Sequence, residues 1–369
     1  MISRLLPCLL GAALCGCEDA VALPPLESAP GRVSVLDTAG PNGDTGWWPS
    51  VRFDGRDQPH IVYCDATNGD VRYATREGQS WRTRAVVSEG AVGKYVALAL
   101  DAHGQPGITY YDQDQKLLRY AEPRGDGPWV SETIAWGLEI GVGAELRFDA
   151  ERVAHVFYYA PSGKFIHGVR RPAATGGWER QPIAEASGGF SARTSVVARP
   201  EGFWASFLAW NLRETALLLA WPKRDGWDVH SLPLEPGAGW RSFLVFDTPA
   251  PSVLYTVAAK RKLMLASLAA SGKWSSTRVL DDVGNFAAAQ APGGALVVAY
   301  EDIHLGEDGM GTLKLLERTA DGWRRFGIDS EGPVANYVSV ALDSKARPLV
   351  AYHSRHIRGL KLYDETGGP

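Results

Sequence analysis

The densest run of titratable side chains in the chain is His353, Ser354, Arg355 and His356. An imidazole beside a guanidinium can accept a proton and neutralise developing charge, the two roles needed by a lyase or glycosidase acting on polysaccharide. Tyr337 lies close enough in sequence to join His353, Arg355 and His356 as a fourth catalytic candidate, and a polar loop accounts for the same residues without chemistry. A second pattern is spread along the whole chain. Six residues before a recurrent Asp, or its aligned position, stand Trp48, Tyr95, Gly143, Arg193, Arg241 and Tyr337, and one position earlier stand Trp47, Lys94, Trp240 and Asn336. Aromatic faces stack on sugar rings, while Arg and Asn present donors for hydroxyls or an anion. The same aromatics could instead plug a pore.

Repeats show how such residues would be brought together. A Gly-ended turn precedes Trp81, Trp129, Trp178, Trp227, Trp274 and Trp323, at steps of 48, 49, 49, 47 and 49 residues. A period of about 40–50 residues built from short strands marks a β-propeller with one four-stranded blade per repeat. Counting the apolar, aromatic second strand of each repeat predicts seven blades, all-β, in a single domain over residues 31–369. The last repeat lacks a fourth strand, and a step of 49 back from Trp81 lands on Arg32. Residues 32–37 are therefore expected to complete the last blade and seal the ring, leaving no open sheet edge between first and last repeats. Propeller geometry then gathers the strand starts carrying Trp47, Trp48, Lys94, Tyr95, Arg193, Trp240, Arg241, Asn336 and Tyr337 around the mouth of a central channel. His304 and His353 should join them from the loops between second and third strands.

Composition narrows the chemistry. The chain has 369 residues, a net charge of −4 and 41 Gly, 23 Pro, 13 Trp and 13 Tyr. With no basic stripe to neutralise phosphates, nucleic acid is not an expected partner. GxSxG, HExxH and P-loop motifs are absent. The acidic stretches 65–70 and 112–114 lack the closing Glu of a calcium loop and read as solvated turns, so no metal and no cofactor is expected. Of four cysteines, Cys8, Cys15 and Cys17 crowd the start, leaving Cys64 as a lone small hydrophobe in an apolar strand.

The turn before each Trp resembles the Asp-box hairpin of sialidase-like (BNR) propellers: Thr319, Asp321, Gly322 and Trp323 give a compressed form, and Thr75, Gly78 and Trp81 keep the Thr and Gly spacing with Glu77 in place of Asp. The resemblance implies the architecture. The glycoside hydrolysis it would also imply needs an arginine cluster and a Tyr nucleophile that match no stretch here.

Residues 1–16, with Arg4 and an apolar run too short to span a bilayer, read as a signal peptide. Its end, Leu14, Cys15, Gly16, Cys17, resembles a bacterial lipobox. That resemblance implies lipidation of Cys17, an extended tether over 17–30 and anchoring in the cell envelope. The expectation from sequence is a monomeric envelope lipoprotein whose propeller binds a glycan or an envelope protein without catalysis, with a polysaccharide lyase or glycosidase as the alternative.

Overall fold

The computed structural model describes residues 24–125, 127–170, 176–185, 194–210, 215–232, 238–246, 250–269, 271–303, 311–331 and 334–366. Seven sheets of consecutive antiparallel strands form the expected ring. Blade one spans 45–87, two 94–136, three 145–185, four 195–232, five 238–280, six 283–329, and seven 334–364 together with Arg32–Asp37.

Each strand position has its own sequence signature because each meets a different environment. The second strands of blades one, two, five and seven, Pro59–Asp65, Pro106–Asp112, Pro251–Val257 and Pro348–Ser354, are buried at every residue, being sandwiched between neighbouring blades. All four begin with Pro, which the first position of a strand tolerates. The outer strand of blade one, Ser80–Val87, has no fully buried residue. Seven apolar clusters join the blades, one at each interface. Each periodic Trp packs against the cluster shared with the preceding blade, as Trp81 does between blades seven and one and Trp129 between one and two.

The recurrent Asp is a hairpin device. Asp54 Oδ1 accepts the N–H groups of Arg56 and Gln58, both at 2.8 Å, and Asp101 and Asp343 repeat the arrangement with His103, Gln105, Lys345 and Arg347. An Asp carboxylate bonding its own backbone two residues on stabilises such turns.

Arg32–Asp37 pairs antiparallel with Gly359–Asp364, sealing the ring as the repeat phase requires. Leu26–Ser28, inside the stretch expected as tether, adds a fifth, parallel strand to blade six. Glu27 pairs with both Nε and Nη2 of Arg324, at 3.1 and 2.5 Å, and Ala29 packs into the cluster between blades six and seven. The N-terminal segment therefore straps blade six to blade seven, the blade that it completes.

Candidate functional site

The first strand of a blade starts on the face that also carries the loop between second and third strands, so these elements together form the mouth of the channel. In blades one and two the approach is a buried Gly, a spacer and an aromatic: Gly46, Trp47, Trp48 and Gly93, Lys94, Tyr95. Gly46 and Gly93 have φ of 86° and 97°, and Trp48 and Tyr95 follow at 49° and 55°. Register shifts show that the first strand carries extra residues at this point in blades one, two, five, six and seven. Such bulges re-aim side chains, and a left-handed backbone on a bulky residue costs about 1–3 kcal/mol, held only where surrounding structure imposes it. Here Gly46 abuts blade seven, because a Cβ on it would lie 2.7–2.9 Å from Cβ, Cα and N of Leu360. Gly46→Ala is expected to lower stability by about 2–4 kcal/mol, combining left-handed strain with a clash that only backbone movement relieves. Chemical denaturation measures this, and a loss below about 0.5 kcal/mol would show that the contact is slack.

The aromatics form one group. Trp48 lies 5.2 Å from Tyr95 and 4.9 Å from Tyr337, and Trp47 lies 5.5 Å from Trp48 and 5.3 Å from Tyr337, centroid to centroid. All four rings are half-buried. Tyr95 bonds the Glu139 carboxylate, and burial, aided by that bond, pushes its phenol well above the ordinary range. Inward of this group the channel holds about 810 Å³, walled by all seven blades and lined by Trp48, Tyr95, Arg241, Tyr337 and Arg355 among others. That volume lies within the range of small-molecule sites.

Asp44 organises the outer edge of this group. Its Oδ1 accepts Trp47 Nε1–H at 2.6 Å and His353 Nε2–H at 3.0 Å, while Arg358 Nε stands 3.6 Å from Oδ2. His353 is 2% exposed, at the end of its strand and not in a loop, with the Trp47 ring centroid 5.1 Å away. Burial outweighs the pull of Asp44 and holds its pKa below the usual imidazole value. Its Nδ1 is buried and without a hydrogen-bond partner among the described residues. His353 thus supports Trp47 from beneath. The structure brings Tyr337 and Arg355 to the channel, whereas His356 is exposed on the turn and is not among the lining residues. The four catalytic candidates do not converge. Lys94 is half-buried beside Tyr95; Arg193 and His304 lie outside the described residues, as do the side chains of Trp240 and Asn336 and the whole of Cys17.

Two acidic stretches prove to be less solvated than their composition implies. Asp65 and Asp112 are buried, and their Oδ1 atoms accept the N–H groups of Thr67 and Asn68, and of Gln115, fixing the turns beside the mouth. Cys64 is buried as expected, its thiol pushed up to about 12 chiefly by burial.

Histidines held neutral by their surroundings are expected to make the fold acid-sensitive above the carboxylate range. His167 stacks on Phe157 and bonds His155, and burial, helped by His155, pushes it down to about 3. His60 and His353 are also lowered by burial. Each takes up a proton on unfolding below its ordinary value of 6.5, so stability falls as pH drops through that value. Urea midpoints are expected to decline from pH 7.5 to 5, less steeply in His167→Gln; a flat profile would contradict this.

A further mouth-face residue lies outside the sequence expectations. Trp136 is 79% exposed, next to exposed Leu138, in the segment whose Glu139 holds Tyr95. Its departure from the Trp period, seven residues after Trp129, was the available signal.

No protein-family model and no curated protein matches the chain. Among solved structures it is similar to a lectin from Aleuria aurantia in complex with Fucα1-6GlcNAc, at 15% identity and a TM-score of 0.51, covering 79% of this chain and 98% of that one. It is also similar to a protein of unknown function from Dyadobacter fermentans, at 12% identity and a TM-score of 0.52, covering 90% and 96%. At such identities the likeness is one of fold, and the chain is a seven-bladed β-propeller with lectins among its structural neighbours.

Proposed function

We propose that this chain is a non-catalytic recognition module that binds glycan at the aromatic mouth of its channel and is held at the bacterial cell envelope by a lipid on Cys17. The observation that carries the binding reading is the strained presentation of Trp48 and Tyr95. Two bulky rings are kept in left-handed backbone at equivalent places, side by side, and both line the channel cavity. A fold gains nothing in stability from such strain, whereas a stacking platform for sugar rings needs that orientation. The glycan-bound lectin among the structural neighbours supports the same reading. The resemblance to sialidase-like propellers contributes architecture only, since His353 is sealed beneath Trp47 and His356 stands apart.

The strap supports the tethered arrangement. Leu26–Ser28 runs parallel to the outer strand of blade six, which rises from the turn face toward the mouth. The chain therefore enters from the face opposite the mouth, and an anchor ahead of it leaves the mouth turned away from the membrane. Glycan-array binding of the full-length chain in mild detergent tests the recognition reading. Dose-dependent binding to one saccharide class is expected, and absence of binding across the array would remove it. Metabolic labelling with a radioactive fatty acid tests the anchor, with label expected in the wild type and lost in Cys17→Ser.

A further inference from the structure

The channel carries its charge unevenly. Its lining includes the guanidinium groups of Arg52, Arg147, Arg241 and Arg355 against one carboxylate, Glu145, on a chain whose net charge is −4. Glu301, next to the wall, is half-buried, and burial raises its pKa against the pull of Asn285 and Arg355. Below the aromatic mouth two of the arginines converge. Arg147 Nη1 stands 2.7 Å from Glu145 Oε2, and Arg52 Nη2 stands 3.8 Å from the same oxygen. Arg52 Nη1 also donates to Val51 O, and Arg147 uses Nε on Val196 O and Nη1 on Leu146 O. Nε and Nη2 of Arg52 and Nη2 of Arg147 make no hydrogen bond among the described residues. One carboxylate oxygen thus serves two cations, and the site is short of one negative charge. Burial, together with repulsion from Arg147, pushes the Arg52 guanidinium down to about 10. A guanidinium held short of counter-charge in a partly desolvated wall is costly, and a second anion relieves that cost through charge-assisted, forked hydrogen bonds.

We propose that Arg52 and Arg147 form an anion subsite on the channel floor that takes the carboxylate or sulfate of an acidic saccharide whose other end stacks on Trp48 and Tyr95. This rests on the glycan reading of the mouth and adds the ligand's class. Trp48 and Arg52 are four positions apart on one strand, about 13 Å at the rise of an extended chain, so the ligand spans more than a single ring. Glu145 is the internal competitor for the incoming anion, which sets the sign of its replacement.

Isothermal titration of the full-length chain tests this with four probes: a uronate oligosaccharide, the same oligosaccharide with its carboxyls reduced to alcohols, a sulfated oligosaccharide, and inorganic sulfate. The uronate or the sulfated form is expected to bind at least tenfold tighter than the reduced form, which of the two identifying the anion, and Arg52→Gln is expected to abolish the preference. Glu145→Gln, which keeps the shape and needs no loss of an arginine, is expected to tighten binding of the acidic probe and of inorganic sulfate about three- to tenfold. Equal affinity for acidic and reduced forms in the wild type overturns the subsite and leaves the glycan reading standing. Failure of every sugar to bind, with sulfate still bound and tightened by Glu145→Gln, overturns the glycan reading and leaves the anion subsite standing.

Discussion

Lys361→Met is expected to destabilise the protein by about 3–5 kcal/mol, because it strips a buried carboxylate of its ammonium. Lys361 Nζ lies 2.8 Å from Asp329 Oδ2, with both side chains under 5% exposed, and Tyr352 donates its hydroxyl to the same oxygen at 2.6 Å. The third partner, Glu331 at 3.0 Å, is exposed and contributes little. The pair bridges blade six to blade seven, on the strand that pairs with the ring-closing Arg32–Asp37, so a loss there is felt by the ring as a whole. Against a total stability of about 5–15 kcal/mol, the variant should be close to unfolding. Urea denaturation checks the size, with Arg324→Ala as control: its exposed pair with Glu27 is screened by solvent, and its loss is expected to move the midpoint far less. Similar losses in the two variants would show that burial does not set the energetics of the seam. The pair also has a pH signature. Burial pushes Asp329 up, but the bonds from Lys361 and Tyr352 outweigh it and hold it below 3.8; burial pushes Lys361 down, but its two carboxylates hold it above 10.5. The contribution is present between those values and is lost as pH falls below the first or rises past the second.

Trp48→Ala is expected to weaken glycan binding by about 2 kcal/mol, roughly thirtyfold in Kd, the cost of deleting a central aromatic anchor. A companion, Trp48→Gly, separates binding from backbone strain. Both variants lose the ring and should bind equally poorly. In an ordinary strand Gly is the less stable of the two, but at the φ of 49° held by Trp48 the order should reverse, with Gly about 1 kcal/mol more stable than Ala. Titration calorimetry and thermal melts read the two effects independently. Wild-type affinity in either variant would remove Trp48 from the site, and an Ala variant more stable than the Gly variant would show that the bulge carries no strain.

The ring was legible in the sequence because each blade repeats the same physical problems. A Gly-ended turn, an apolar second strand between neighbouring blades, and a Trp against the previous blade recur at near-fixed intervals, and the missing fourth strand of the last blade identified Arg32–Asp37 as the seal. The strap at Leu26–Ser28 was not legible, since three residues pairing with a strand some 300 positions away leave no period. The aromatic mouth was found through its alignment to the Asp, and its left-handed backbone had a cue in Gly46 and Gly93, eight residues before Asp54 and Asp101. The burial of His353 could not be read locally, because Trp47 and Asp44, which cover and bind it, come from the opposite end of the chain. Arg52, Glu145 and Arg147 escaped notice for a related reason. Charges on first strands look like ordinary surface residues until the ring turns those strands inward.

We propose that a glycan binds at the mouth formed by Trp48, Tyr95 and Tyr337. A crystal structure of the chain soaked with a saccharide to which it binds in solution addresses this most directly. Ligand density stacked on Trp48 and extending into the channel is expected. Density confined to an outer blade edge, with an empty mouth, would contradict it.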